Sequence, residues 1–181
     1  FDQHFNADMQ DAAKKIITAI MGSDAACRDW LNNVFPVKYS IPLAYDMNQI
    51  RTGFHGMGSG SGGTNFDETL THRALQYEAA QKSGKMLNPN SQCLGDDGIL
   101  SYPGITVEDV TSSYSSHGQD MNVEKQSASE QDCTYLRRWH HDAYRVDNVC
   151  VGVYSTYRAL GRLCEQERYY DPEIWGPKMV A

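Results

Sequence analysis

Apolar residues return every three or four positions near the start of the chain. Phe5, Met9, Ala12, Ala13, Ile16, Ile17 and Ile20 share one helical face, which predicts a helix from about Asn6 to Met21. Gly22-Ser23-Asp24 ends that helix and caps a second, whose inner face is Cys27, Trp30, Leu31 and Val34. Pro36 breaks the second helix. The period then changes to two: Val37, Tyr39 and Ile41 predict one strand, and Ile50, Thr52 and Phe54 another. A glycine-rich run, Gly56 to Asn65, leads into a helix with Phe66, Leu70, Ala74 and Tyr77 on one face, ending near Gly84.

The second half is more broken. Asn88-Pro89-Asn90 makes a turn before two short strand-like runs, Ser91–Leu94 and Gly98–Tyr102, which are joined by Gly95-Asp96-Asp97 and closed by Pro103-Gly104. Thr106 caps a helix with an acid three residues on, Val107, Val110 and Tyr114 supply its buried stripe, and Gly118 stops it. Tyr135–Trp139 and Asn148–Tyr154 read as strands. Ser155 caps a last helix running through Leu160 and Leu163 to about Tyr169, with Pro172 just beyond. This order predicts an α+β fold, an antiparallel sheet with helices packed on one face.

Composition narrows the function. The chain has 181 residues, 40% of them hydrophobic, enough for one domain with a sizeable core. No run approaches the roughly 20 apolar residues of a membrane span. Opening on Phe1 with no signal peptide, the chain reads as a piece of something longer. A net charge of −7 argues against a simple basic nucleic-acid binder. The five cysteines form no CxxC pair, so reduced thiols are expected, and His140-His141 near Cys133 are read as no metal site.

Candidate chemistry centres on Gly95-Asp96-Asp97-Gly98. Neighbouring carboxylates on a tight turn repel unless solvent or a cation neutralises them. Standing alone, the segment reads as a solvated turn, because Asp and Gly favour turns. The glycine-rich loop lets backbone approach a sugar-phosphate closely, with Ser59 or Thr64 adding hydroxyls; alone, it reads as readily as a flexible connector. No Gly-Lys-Ser/Thr follows it, which excludes a Walker loop and weakens a kinase-like phosphate cradle.

Taken in order, these segments strongly resemble the palm of viral RNA-dependent RNA polymerases. Ser59-Gly60 with Gly63-Thr64-Asn65 is similar to that family's motif B, and Gly95-Asp96-Asp97 to motif C. Gly118 through Lys125 resembles motif D, Tyr135-Leu136-Arg137-Arg138 motif E, and Phe1-Asp2 the tail of motif A. The phrases Phe1-Asp2-Gln3-His4-Phe5 and Ser59 to Asn65, and the run Tyr135 to His141, look most like those of picobirnaviruses.

The resemblance implies palm over 1–150, with part of a fingers insertion at about 22–55, and the end of the palm with the first thumb helix over 151–181. It implies template-directed nucleotidyl transfer by two metals, with Asp96 and Asp97 holding Mg²⁺ (Mn²⁺ substituting) and a further motif A aspartate placed before Phe1. Lys125 would serve as general acid or counter-charge, although by itself it reads as a surface lysine. Asp2 would meet the ribose 2′-hydroxyl, or be no more than a helix-entry acid. Ser59, Gly60, Thr64 and Asn65 would position template and nucleotide, and Arg137 and Arg138, on opposite faces of a strand, would meet RNA. Where many relatives pair an asparagine with the Asp2 position, this chain has Glu68; two facing acids repel unless one is protonated or a donor intervenes, and sugar discrimination would then run through Asn65 or Thr64 instead. Arg158, Arg162 and Arg168 read as a solvated face, and Trp139, Tyr154 and Tyr157 as core. Implied partners are RNA template, nascent RNA, nucleoside triphosphates and capsid protein, in the virion interior and host cytoplasm. The competing class is a palm-like RNA-binding module without catalysis.

Overall fold

A computed structural model describes residues 1–101, 104–164 and 171–180. The chain divides into two compact units, Phe1–Ser129 and Glu130–Ala181. That division does not coincide with the 150/151 boundary expected from sequence.

In the first unit, the helix read near the start forms as α1, Ala7–Met21. Asn6 caps it by accepting from the Met9 N–H, and Met9, Ala13 and Ile17 are buried at i, i+4 spacing. Asp24 caps α2, Ala25–Asn33, through the Cys27 N–H and buries Leu31. The strand expected at Val37–Ile41 is instead a 3₁₀ helix, Phe35–Tyr39, with Pro36 in its first turn. The fixed φ of proline favours a helical start, and the turn sends Phe35, Lys38 and Tyr39 inward together. A hairpin follows, β1 (Leu43–Asp46) with β2 (Gln49–Arg51). The second strand is shorter than expected, since Gly53 turns the chain at φ +96°.

Helix α3, Thr64–Lys82, buries a different face from the one expected. Phe66, Ala74 and Tyr77 are exposed, and Asp67, Glu68, Thr71, His72, Leu75, Gln76, Ala79 and Ala80 are buried. The acidic hairpin is β3 (Gln92–Leu94) with β4 (Asp97–Ile99), tighter than read, because Leu94 pairs with Asp97 and the turn is only Gly95-Asp96. The Tyr102 and Pro103 end of that reading lies outside the described residues. Helix α4, Val107–Ser115, carries the full capping box between Thr106 and Asp109. The core gathers Phe5, Met9, Ala13, Ile17, Leu31, Phe35, Tyr39, Met57, Leu75 and Tyr114.

The second unit holds a three-stranded antiparallel sheet, β5 (Asp132–Tyr135), β6 (Arg138–His141) and β9 (Val153–Tyr154), and a small hairpin, β7 (Arg145–Val146) with β8 (Val149–Cys150). Tyr135–Trp139 is therefore not one strand. Leu136 and Arg137 both have positive φ and form the two-residue hairpin turn, so Arg137 and Arg138 do not alternate across a sheet. Trp139 and Tyr157, read as core, are exposed, Tyr157 at 88%. Helix α5 is described over Thr156–Cys164, with Arg158 and Arg162 exposed on it, and α6 is Pro172–Val180. Arg168 and Tyr169 lie outside the described residues. The fold class is helices with small antiparallel sheets: among the described residues four sheets of two or three short strands stand where one sheet was expected.

Candidate active site

Three segments distant in sequence converge on one open cleft of about 1000 Å³ in the first unit. Phe1, Asp2, Gln3 and His4 line one part, Ser59 to Ser61 and Gly63 to Phe66 with Glu68 another, and Leu94, Gly95 and Asp96 a third; Asp120 completes it. Asp2, Ser59, Gly60, Thr64, Asn65 and Asp96, all chosen from sequence, thus face a shared space. Asp97 is half-buried on β4 beside the turn and does not line the cleft. Lys125 is exposed on a 3₁₀ turn, Val123–Lys125, also outside the lining. Arg137 and Arg138 belong to the second unit, where the Arg138 guanidinium lies 5.8 Å from the Tyr154 ring.

Local chemistry fixes each part. Asp2 sits in a 3₁₀ turn, Asp2–His4, whose backbone meets the glycine-rich loop: the Met57 N–H donates to the Asp2 carbonyl at 3.0 Å. A Cβ on Gly56 would stand 2.6 Å from that same carbonyl oxygen, so only glycine allows the approach. The loop closes on itself, with the Thr64 hydroxyl 3.0 Å from Ser61 Oγ and within bonding reach of the Ser61 and Gly58 carbonyls. Gly63, at φ +91°, then turns the chain into α3. Beneath the loop lies a buried polar network. Lys38 Nζ is 2.5 Å from Asp67 Oδ2, which also accepts from the Tyr39 hydroxyl at 2.5 Å. Burial, reinforced by that carboxylate, pushes the Tyr39 hydroxyl far above its ordinary pKa. The ammonium packs over the Phe35 ring at 4.5 Å, and the Lys38 carbonyl accepts from the Gly58 N–H at 3.2 Å.

The two facing acids resolve their conflict with a proton. Glu68 is only 5% exposed, and its Oε1 is buried without a hydrogen-bond partner among the described residues. Burial, then the hydrogen bond and charge of Asp2, then the charge of Asp96, push its pKa up to about 8. Glu68 is therefore protonated at neutral pH and donates to Asp2. That bond, joined by one from Ser59, holds the Asp2 carboxyl below its ordinary value in spite of partial burial. A protonated glutamate supplies the donor that an asparagine amide would supply.

Carboxylate oxygens suit a hard divalent cation, and Asp96 presents one to the cleft. Among the described residues, however, no group of three or more His, Cys, Asp or Glu is arranged to hold a metal. Sequence reading overlooked Asp120 and the grip of α3 on the hairpin. The signal for that grip was present, since Thr69, His72, Arg73 and Gln76 are polar at i, i+3, i+4 and i+7.

In sequence and in fold, the chain is similar to a segment of viral RNA-dependent RNA polymerases. It is 67% identical over 181 residues to a potential RNA-dependent RNA polymerase of human picobirnavirus (strain Human/Thailand/Hy005102/-), with 100% of this chain and 34% of that protein covered. The crystal structure of a human picobirnavirus RNA-dependent RNA polymerase superposes with a TM-score of 0.89 at 66% identity over 99% of this chain and 34% of its own. An insertion-loop deletion mutant of a human picobirnavirus polymerase gives the same TM-score and identity, with 35% of its length covered. No protein-family model matches the chain. The chain spans about a third of the length of these relatives.

Proposed function

We propose that this chain forms the catalytic palm region of a picobirnavirus-type RNA-dependent RNA polymerase, joining nucleotides from triphosphates to an RNA 3′ end on an RNA template. The observation that carries this reading is the convergence of Asp2, the Ser59–Asn65 loop and Asp96 on one cleft, in a chain this close to polymerases over its whole length. Asp96, with Asp97 beside it, would hold Mg²⁺ or Mn²⁺, together with a carboxylate from outside this chain. When bound, such a metal supplies positive charge to the attacking 3′-oxygen and the departing pyrophosphate.

The chain's own groups do the rest. Asp2, kept anionic by Ser59 and Glu68, accepts from a ribose 2′-hydroxyl, a contact that a deoxyribose cannot make. Gly60, at φ +79°, leaves backbone bare where Ser59, Thr64 and Asn65 face the cleft, which suits close approach of sugar and phosphate. Lys125 as a charge for the leaving group, Arg137 and Arg138 as RNA contacts, the fingers and thumb divisions, and work inside a particle with capsid protein complete the proposal.

The test is template-directed incorporation by a full-length polymerase carrying this chain, with Mg²⁺ or Mn²⁺, beside the same protein with Asp96→Ala. Incorporation that disappears with the substitution supports the reading. Incorporation that survives it moves the metals elsewhere, and none from either folded protein favours a non-catalytic RNA-binding palm.

A further inference from the structure

The Gly95-Asp96 turn is held by its backbone. Gly95 is buried at φ +59°, and both of its polar backbone groups are bound to α3. Its N–H donates to Thr69 Oγ1 at 2.8 Å, and its carbonyl lies 2.9 Å from His72 Nδ1. A carbonyl only accepts, so His72 carries a proton on Nδ1. The Thr69 hydroxyl gives its own hydrogen to the Asn65 carbonyl at 2.6 Å, which leaves its lone pairs for Gly95. Thr69 and His72 stand at i, i+3 on one face of the helix.

Their neighbours extend the grip. Arg73 donates to the Ser91 carbonyl at 2.7 Å and Gln76 to the Gln92 carbonyl at 3.0 Å. On the returning strand, a Cβ at Gly98 would meet His72 Cε1 at 2.6 Å, so the ring sits against bare backbone. Strands β3 and β4 pair with each other, and four side chains of α3 bind the hairpin's backbone. Asp96 is one peptide bond from the clamped carbonyl.

We infer that Thr69 and His72 are positioning residues, which fix where the Asp96 carboxylate stands in the cleft by clamping both backbone groups of Gly95. The inference rests on the proposed role of Asp96. Neither side chain lines the cleft.

The experiment compares Thr69→Val and His72→Phe with Thr69→Ser and His72→Asn in the full-length polymerase. Valine keeps the shape of threonine without an acceptor, and the asparagine amide can replace Nδ1–H. Amide exchange across Cys93–Asp97 reads the clamp without any activity, and single-nucleotide incorporation against Mg²⁺ concentration reads its consequence. Expected are faster Gly95 exchange, a kcat lowered ~10–100-fold, an unchanged KM for nucleotide and a raised Mg²⁺ requirement in Thr69→Val and His72→Phe, with most of each recovered in Thr69→Ser and His72→Asn. If His72→Phe does not fold, the Thr69 pair decides the question. Wild-type exchange and kcat in Thr69→Val, with Asp96→Ala inactive, overturn the clamp. Activity that survives Asp96→Ala overturns the role of Asp96 itself and with it the purpose of the clamp.

Discussion

At the scale of single residues, the buried charges govern behaviour. Unfolded, Glu68 loses its proton near the ordinary 4.5, and folded it keeps it to about 8. The folded state therefore binds the extra proton between those values. The contribution is complete below the lower value and is lost as pH rises through the upper one. The depressed pKa of Asp2 has the opposite sign, present above the ordinary carboxylate value and lost in acid, and the two titrate as a pair. Between the ordinary 4.5 and about 8, melting temperature should fall in the wild type with a slope that Glu68→Gln, whose amide donates at every pH, lacks; calorimetry at several pH values checks this. The Lys38–Asp67 pair is a second case. Lys38→Met leaves a buried anion and Asp67→Asn a buried cation, and each should cost ~3–5 kcal/mol in urea unfolding. Lys38→Met with Asp67→Leu should lose less than the sum of the two single losses, since no lone charge remains. The facing of Asp2 and Glu68 was implied by the family resemblance, whereas the pairing of Lys38 with Asp67 was not legible, because it depends on which elements pack together.

At the scale of elements, capping and turn chemistry were legible. Asp24 and the Thr106–Asp109 box both act where their residue types placed them. Periodicity was legible where the buried face is apolar, as in α1. It misled in α3, whose buried face mixes Leu75, Ala79 and Ala80 with polar residues that meet hairpin backbone and the Lys38–Tyr39 turn. The Val37–Ile41 alternation misled because Pro36 had already set a helical turn, and the Arg137–Arg138 reading because two consecutive left-handed residues reverse the chain there. Six residues chosen from sequence line one cleft, while Asp97, Lys125, Arg137 and Arg138 do not. The meeting of the loop with the Asp2 turn gives an element-scale prediction. Gly56→Ala places a methyl against a backbone carbonyl that cannot rotate away, and should cost ~1–3 kcal/mol and lower incorporation. A melt and a rate measured side by side check both.

At the scale of the whole molecule, the surface carries apolar side chains in the open. Met47 is 86% and Phe54 83% exposed, with Tyr45 and Ile50 nearby on the β1–β2 hairpin. Exposed apolar clusters of this kind drive association. The isolated chain should self-associate and be inactive, and Met47→Ser with Phe54→Ser should reduce association in light scattering; a monodisperse wild-type chain would contradict this. Among the described residues no helix is long and apolar enough to cross a membrane. One further consequence concerns time rather than space. The turn bearing Asp2 is tied down by Gln119, which donates to the His4 carbonyl across 115 positions of sequence, and Asn6 reaches the His117 carbonyl across 111. On a ribosome adding ~5–20 residues per second, the Asp2 segment waits on the order of ten seconds before its anchor exists. One wall of the cleft is thus synthesised early and locked late, and a pause in translation between these two segments would lengthen the interval in which that wall is loose.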